Sequence, residues 1–136
     1  TLYGDMAGGF AVIKDVAKTL VYELAQWKNE QTAASKEGEW IPRRIITRPP
    51  SAELRPDQRD SDSLPDYALL DPLLQAVLEE HQSPEDLIAR GVDAALAQRV
   101  MSLLRRAEFK RRQAPPVLKL SQRSFGSGWR MPIAAA

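Results

Sequence analysis

The sequence predicts a mostly α-helical chain with a short extended segment near its start and an extended tail at its end. Three observations support this. Apolar residues recur at helical spacing in several segments, prolines and glycines separate those segments, and the residues after Pro116 lose the helical period. A length of 136 residues with 43% hydrophobic residues suits one globular unit.

Composition excludes several classes of function. Nineteen basic and eighteen acidic residues leave a formal charge of +1, so overall charge gives no reason to expect nucleic acid or a membrane as partner. Cysteine is absent, which excludes disulfides and thiolate chemistry, and a single histidine argues against zinc. No apolar run approaches the roughly 20 residues that cross a bilayer. We therefore expect a cytoplasmic protein.

The first part of the chain predicts a loop followed by a long helix. Leu2–Ile13 mixes aromatic and aliphatic residues with glycines, which suits a loop leading into a short extended segment. Asp15 is placed to cap the next helix, which we expect to run to about Lys28. The apolar stripe of that helix comprises Val16, Leu20, Leu24 and Trp27. The polar stretch 29–38 then predicts a solvent-facing connection.

Prolines delimit the next helix and open a long loop. Pro42 suits a first helical position, and the prolines at 49 and 50 should end the helix sharply. Ile45 and Ile46 give this helix apolar side chains to bury. Residues 51–63, SAELRPDQRDSDS, hold many charges and few aliphatic side chains, so we expect a long mobile loop there.

Three further helices are expected before the tail. Asp71–Pro72 predicts one helix start, and Ser83–Asp86 predicts another whose helix ends at Gly91. Asp93 opens the longest amphipathic segment, which should end before Pro115. The apolar face of that helix comprises Leu96, Val100, Leu103 and Ala107. We expect the tail beyond it to lie along the surface, anchored by its aromatic residues.

Lys18 is the most informative candidate for a binding residue. It falls in the first turn of the predicted helix, where a cation is unfavourable by about 0.3 to 1 kcal/mol and a bound anion would reverse the sign. A phosphate site is one interpretation, and a solvated surface lysine is the other. Upstream glycines at 4, 8 and 9 permit close backbone approach, but they match neither a dinucleotide fingerprint nor a Walker loop.

The remaining polar candidates are less specific. Ser51 presents a hydroxyl directly after two prolines, which suits either a ligand contact or a local turn. Asp57, Asp60 and Asp62 offer oxygen donors for magnesium, yet they lack the spacing of a calcium loop, so a solvated charge run is expected. His81 is interpreted as a helix-end residue and is left out of the site.

Basic residues gather at the end of the longest helix, where the helix dipole favours positive charge. They are Arg105, Arg106, Lys110, Arg111 and Arg112. Phosphate binding by Lys110, with Phe109 as a flat surface for a ring, is one functional interpretation. The alternative is a non-enzymatic helical interaction module whose basic end docks an acidic partner or nucleic acid, with steep salt dependence.

Long stretches of the sequence resemble the bacterial glutamine-dependent NAD synthetases. The stretches are TLYGDMAGGFAVIKDVAKTLVYELAQW, IPRRIITRPPSAELRPDQRDSDSLPDYALLD and FKRRQAPPVLKLSQRSFGSGWRMPI. The resemblance implies that residues 1–136 are the C-terminal part of the ATP-dependent amidating domain. The parent domain would have an α/β, Rossmann-like fold of the adenine-nucleotide alpha hydrolase-like type, to which this segment adds mostly helices. The glutaminase domain, the pyrophosphate loop and the magnesium ligands would precede Thr1.

The resemblance also implies an activity and a site. Such enzymes use ATP and Mg²⁺ to adenylate deamido-NAD, and ammonia from glutamine then displaces AMP to give NAD. Lys18 matches a family lysine that contacts ATP phosphates, and Ser51 stands where many members have threonine in a loop that orders over ATP. Phe109 and Lys110 match a His-Lys pair that touches deamido-NAD in ammonia-dependent relatives. Gly9 aligns with a substrate-contacting acid there.

Two departures from the family pattern concern the dinucleotide. Phe109 replaces the histidine, and Gly9 lacks the carboxylate of the aligned acid. The implied roles are binding roles, so no catalytic side chain and no metal ligand is expected in this segment. The expected partners are ATP, deamido-NAD, the glutaminase domain of the same parent chain, and further copies in a homodimer or higher homo-oligomer. The segment alone is expected to make no NAD.

Overall fold

The computed structural model describes residues 9–33, 38–124 and 128–132. Its helices are α1 (Lys18–Ala33), α2 (Arg43–Thr47), α3 (Tyr67–Leu78), α4 (Pro84–Ala89) and α5 (Ala94–Arg112), with a 3-10 turn at Asp60–Asp62. The strand pairing found in these ranges is a one-residue parallel bridge between Ala11 and Val117. The predicted helical character is confirmed, while the predicted short strand is reduced to this bridge. None of the helices described is long and apolar enough to cross a membrane.

The chain divides into two compact units. The first unit contains residues 1–16 and 72–136, and the second contains residues 17–71. Within the first unit α4 contacts α5, and within the second α1 contacts α2. The buried apolar side chains of the first unit come from α3, α4 and α5, and they are Leu73, Ala76, Val77, Leu87, Ala97, Val100 and Met101.

Local capping bonds set the boundaries of α4 and α5. Ser83 Oγ accepts a hydrogen bond from the Asp86 amide at 3.2 Å, and the Asp86 carboxylate accepts one from the Ser83 amide at 2.9 Å. Gly91 follows α4 with φ at +92°, the left-handed conformation that glycine adopts most readily. Asp93 Oδ2 accepts from the Leu96 amide at 2.9 Å and caps α5. These predicted boundaries are confirmed.

The buried face of α5 differs from the predicted one. Val100 is buried as expected, but Leu96, Leu103 and Ala107 are only half-buried. The residues buried on α5 are Ala97, Val100, Met101, Glu108 and Arg111. The apolar pattern predicted a neighbouring face of α5 because Glu108 and Arg111, which are charged, lie on the buried face.

The start of α1 corrects the prediction that Asp15 caps this helix. α1 begins at Lys18, and the Asp15 carboxylate instead accepts a hydrogen bond from the Leu120 amide of the tail. The amide of Thr19, in the first turn, donates to Asp71 Oδ2 at 2.7 Å. A carboxylate from a distant segment therefore stabilises the N-terminus of α1.

The start of α3 corrects the prediction that Asp71–Pro72 opens this helix. α3 begins at Tyr67, and Asp66 Oδ1 accepts from the Ala68 amide at 2.8 Å. Asp66 therefore caps the helix, and Pro72 lies inside it. Asp71 is a helix residue, which leaves its carboxylate available to bond with α1.

The end of α1 corrects the predicted connection. The helix runs to Ala33, so the first residues of the stretch 29–38 are helical. Asn29 Nδ2 donates to the Ile41 carbonyl at 2.8 Å, and Asn29 Oδ1 accepts from the Ile41 amide at 2.9 Å. This pair of bonds holds the chain where it returns to α1.

The short helix α2 ends at Thr47, before the two prolines, as predicted. Pro42 lies one position ahead of its first residue, Arg43, and not within the helix. No residue of α2 is buried, and Ile45 is 64% exposed, so the predicted burial of this helix is wrong. A helix this short has too few contacts to cover its apolar side chains.

Candidate functional site

Lys18 is the first residue of α1, which confirms its predicted first-turn position. Its Nζ lies 5.4 Å from the centroid of the Tyr22 ring, one turn further along the helix. The neighbouring Thr19 amide is already bonded to Asp71, so the chain itself supplies one anion at this helix terminus. A contact between Lys18 and a nucleotide stays a prediction.

Tyr67 and Asp60 form a polar contact that the sequence analysis missed. The Tyr67 hydroxyl donates to Asp60 Oδ2 at 2.7 Å. Burial, and then the hydrogen bond to Asp60, raise the pKa of Tyr67 above its ordinary value, so the hydroxyl remains a donor. The bond ties the 3-10 turn at the end of the loop to the first residue of α3. The spacing alone gave no signal for it.

Ser51 lines an open cavity of about 710 Å³ formed by the loop residues between 48 and 59. Its Oγ accepts a hydrogen bond from the Glu53 amide at 3.0 Å, which is the local-turn role considered for it. Arg48, Arg55 and Arg59 also line the cavity and give it cationic side chains. A contact between the Ser51 hydroxyl and a ligand stays a prediction.

The loop that carries Ser51 is shaped by its own polar contacts. Arg48 pairs with Glu53 at 2.7 Å, the Leu54 amide donates to Gln58 Oε1 at 2.9 Å, and the Arg59 amide donates to Asp62 at 3.0 Å. Its charged side chains lie outside the core, as predicted, and its mobility stays a prediction. Among the residues described, no three His, Cys, Asp or Glu side chains are grouped as a metal site.

The three residues predicted to contact a dinucleotide belong to the first unit. Gly9 is exposed and lies just before the bridge residue Ala11. Phe109 is 38% exposed, and Lys110 beside it is exposed in the last turn of α5. Lys18 and Ser51 belong to the second unit. The ligand contacts of these residues stay predictions.

Part of the basic run on α5 is engaged within the chain. Arg111 Nη1 donates to Glu108 Oε2 at 3.0 Å, with side chains 5% and 1% exposed. Arg112 Nε donates to Glu108 Oε1 at 3.2 Å. Burial lowers the pKa of Arg111, and the charge of Glu108 opposes that effect. The spacing of Glu108 and Arg111 on a helix was the available signal for this pair.

The same arginines hold the far end of the tail. Arg111 Nη2 donates to the Trp129 carbonyl, and its guanidinium carbon lies 4.9 Å from the centroid of the Trp129 ring. Arg112 Nη2 donates to the Met131 carbonyl at 2.9 Å. The expectation that an aromatic residue anchors the tail is confirmed for Trp129. Phe125 and Ile133 lie outside the described residues.

The near end of the tail is bonded to the segment before α1. The Ala11 amide donates to the Pro116 carbonyl at 2.9 Å beside the parallel bridge. Asp15 Oδ2 then accepts from the Leu120 amide at 2.8 Å, the Ser121 amide at 2.7 Å and the Ser121 hydroxyl at 2.9 Å. One carboxylate oxygen therefore fixes two consecutive residues of the tail.

Gly128 permits a close turn within the tail. Its amide donates to the Ser124 carbonyl at 3.0 Å. A Cβ built on Gly128 would lie 2.6 Å from the Ser124 nitrogen and 2.9 Å from the Arg123 carbonyl carbon. Both atoms belong to the backbone, so any side chain at this position requires the turn to move.

Comparisons with known proteins agree on one family. A family model described as NAD synthase matches residues 1–114. The glutamine-dependent NAD(+) synthetases of Synechocystis sp. and Acinetobacter baylyi are each 53% identical to this chain, over 100% and 98% of its length. The chain spans only 23% and 24% of the length of these relatives.

A solved structure gives the same result. The glutamine-dependent NAD+ synthetase from Acinetobacter baumannii, in complex with adenosine diphosphate, is 42% identical and superposes with a TM-score of 0.51. The match covers 98% of this chain and 22% of that protein. The observed arrangement of helices is therefore similar to one found in a nucleotide-bound synthetase.

Proposed function

Because this chain belongs to the NAD synthase family, we propose that it forms part of an ATP-dependent ligase that converts deamido-NAD to NAD with ammonia from glutamine. The observation that carries this proposal is identity of 53% to glutamine-dependent synthetases across the whole chain. The parent domain then has the α/β, Rossmann-like fold, and this segment supplies helices that bear binding residues.

Lys18 is proposed to contact the phosphates of ATP. Its place at the first position of α1 puts an ammonium group beside the positive end of a helix dipole, where a polyanion is favoured. The related Acinetobacter baumannii enzyme binds adenosine diphosphate, which supports a nucleotide as the anion. The role of the lysine is electrostatic, since it offsets negative charge as the adenylate forms.

Ser51 and its loop are proposed to cover the ATP. The loop forms an open cavity lined by Arg48, Arg55 and Arg59 as well as Glu53 and Asp57, so cationic groups exceed carboxylates and favour a phosphate. The Ser51 hydroxyl would exchange its bond with the Glu53 amide for a bond to the nucleotide. Closure of such a loop excludes water, which strengthens the electrostatic contribution of the cations.

Lys110, Phe109 and Gly9 are proposed to contact deamido-NAD. Lys110 is exposed in the last turn of α5, where it is accessible to the pyrophosphate of a dinucleotide. Phe109 presents part of a flat ring to which a heteroaromatic group can stack. Gly9 has no side chain, so it contributes backbone contacts in place of the carboxylate found in some relatives.

Magnesium assists such chemistry by offsetting charge on the ATP phosphates, but the described residues do not fit its site. Asp60 is bonded to Tyr67, Asp62 is bonded to the Arg59 amide, and the described ranges hold no cluster of three acidic or histidine ligands. The magnesium ligands are therefore proposed to lie outside the described residues. The glutaminase domain and further copies of the same polypeptide are the proposed protein partners.

The ATP role is tested by Lys18→Ala in the native polypeptide that carries this sequence. Loss of a charged contact to phosphate should lower kcat/KM for ATP by about 10- to 100-fold, measured by pyrophosphate release. Lys28→Ala is the matched control, because Lys28 lies on the same helix with its Nζ 4.1 Å from the Trp40 ring centroid. Unchanged ATP kinetics in Lys18→Ala, or equal losses in both variants, would remove Lys18 from the site.

The dinucleotide role is tested by Lys110→Ala in the same polypeptide. We expect KM for deamido-NAD to rise about tenfold while KM for ATP is retained. Arg106→Ala is the control, because Arg106 is an exposed cation on the same helix. Equal effects in both variants, together with steep salt dependence and indifference to nucleotide identity, would favour the basic docking module instead.

A further inference from the structure

The two segments proposed to contact deamido-NAD are distant in sequence but are bonded to one common element. Gly9 lies in the segment that precedes α1, and Phe109 with Lys110 lies at the end of α5. The segment 9–16 forms no helix, and in the described residues its strand pairing is the single bridge at Ala11. Its own backbone bonds are two turns, from the Lys14 amide to Ala11 and from the Val16 amide to Ile13, so it gains further order from bonds to another segment. The tail supplies them.

The near anchor is Asp15. Its Oδ2 accepts hydrogen bonds from the Leu120 amide, the Ser121 amide and the Ser121 hydroxyl, all at 2.9 Å or less. Hydrogen bonds to an ionised acceptor are about twice as strong as neutral ones. The Ala11 amide adds a bond to the Pro116 carbonyl. The segment that carries Gly9 is thus fixed to the tail at two points.

The far anchor lies at the end of α5. The guanidinium of Arg111 contacts both the carbonyl and the ring of Trp129, and Arg112 bonds the Met131 carbonyl. Glu108, 1% exposed, bonds both arginines and holds them in this orientation. The last turn of a helix frays unless side chains or other segments bond to it. These contacts therefore fix the turn that carries Lys110.

We propose that residues 116–124 and 128–131 act as a tail strap that positions Gly9 relative to Phe109 and Lys110 for dinucleotide binding. Asp15 and Trp129 are its positioning residues, since they act through the segment of Gly9 and the turn of Lys110. The inference rests on the proposed function, since it assigns a purpose to the tail only if those three residues contact deamido-NAD. Small displacements of positioned groups have large effects on binding and rate, so a loosened strap weakens the dinucleotide site selectively.

The near anchor is tested by Asp15→Ala in the native polypeptide. Removal of the carboxylate should raise KM for deamido-NAD about tenfold, with KM for ATP and the glutaminase rate unchanged. Asp15→Asn keeps one carbonyl acceptor and should recover part of that loss. Asp93→Ala is the control, because it removes the cap of α5 and costs stability without touching the strap. An equal rise in KM in Asp93→Ala would overturn the proposal.

The far anchor gives an independent test that remains informative if Asp15→Ala does not fold. Trp129→Ala should raise KM for deamido-NAD, whereas Trp129→Phe keeps a flat ring over Arg111 and should stay close to the parent value. Equal values of KM for deamido-NAD in Trp129→Ala and Trp129→Phe would contradict the strap. If Lys110→Ala has no effect, the proposed dinucleotide site fails. If Lys110→Ala raises KM for deamido-NAD but Asp15→Ala and Trp129→Ala do not, the tail strap is wrong and the proposed dinucleotide site stands.

Discussion

The two units of this chain differ in how far their apolar side chains are buried. The first unit buries a set of aliphatic side chains from α3, α4 and α5, including Leu87 at 2% and Val100 at 0% exposure. The second unit leaves Leu20, Leu24 and Trp27, the apolar stripe of α1, between 44% and 56% exposed. Among the described residues of this unit Leu70 is the buried apolar side chain, and a polar bond from Thr19 to Asp71 holds the start of α1.

This difference shows that an amphipathic pattern predicts a helix more securely than it predicts burial. The stripe of α1 has the spacing of a core-facing helix, and the helix is present. Burial depends on a partner surface, which the described residues of the second unit do not provide. The two units should therefore respond differently to substitutions of similar size.

The largest effect is expected from Glu108→Ala. This change leaves Arg111 as a buried charge without its carboxylate and should lower the free energy of unfolding by about 3–5 kcal/mol in urea titrations. Glu80→Ala is the control, since its pair with Arg90 has side chains 49% and 57% exposed and should contribute less than about 1 kcal/mol. Similar losses in the two variants would mean that the Glu108 pair is hydrated in solution.

The comparison of the two units is tested most directly by two leucine truncations. Leu87→Ala empties a site that is 2% exposed and should cost about 2–5 kcal/mol. Leu24→Ala removes the same atoms from a side chain that is 46% exposed and should cost well under about 1.5 kcal/mol. Urea titration of both variants of this chain measures the difference. A cost for Leu24→Ala that equals the cost for Leu87→Ala would show that the α1 stripe is covered in solution.

The smallest effect concerns pH and the start of α4. Hydrogen bonds from Ser83, chiefly from its backbone amide, lower the pKa of Asp86 below its ordinary 3.8. The folded-state pKa is depressed, so this contribution to stability is complete above pH 3.8 and is lost as the pH falls through the lowered value. Carboxyl resonances followed by NMR should report that pKa.

Two variants separate the causes of that shift. Asp86→Asn should remove this part of the acid sensitivity. Ser83→Ala keeps the backbone amide and should retain most of the lowering of the Asp86 pKa. Loss of the pKa shift in Ser83→Ala would instead assign the shift to the Ser83 side chain.

Sequence reasoning succeeded where a boundary depends on neighbouring residues. The Ser83 capping box, the Gly91 stop and the Asp93 cap were all predicted, because each involves residues within a few positions of one another. The two prolines that end α2 belong to the same class. In each case the signal and the structure that it specifies lie in one segment.

It failed where an acidic residue bonds to a remote segment. Asp71 accepts from an amide 52 positions away, and Asp15 accepts from one 105 positions away, so the local interpretation of each as a helix cap was wrong. Burial of Glu108 and Arg111 was missed for a related reason, since an apolar pattern assigns charged residues to the surface. For the candidate site, the placement of Lys18 at a helix start was predictable, whereas its contact with a ligand stays a prediction.

The turn at Gly128 also limits how this region can diversify. Backbone atoms of Arg123 and Ser124 occupy the volume into which any side chain at 128 would project, and no rotamer of a neighbour relieves that clash. In a saturation library this position should therefore retain glycine alone. At Gly91, where an added Cβ meets nothing within 4 Å, asparagine should also survive selection. Glycine at 128 is thus required by volume, whereas glycine at 91 is favoured by its dihedral angle.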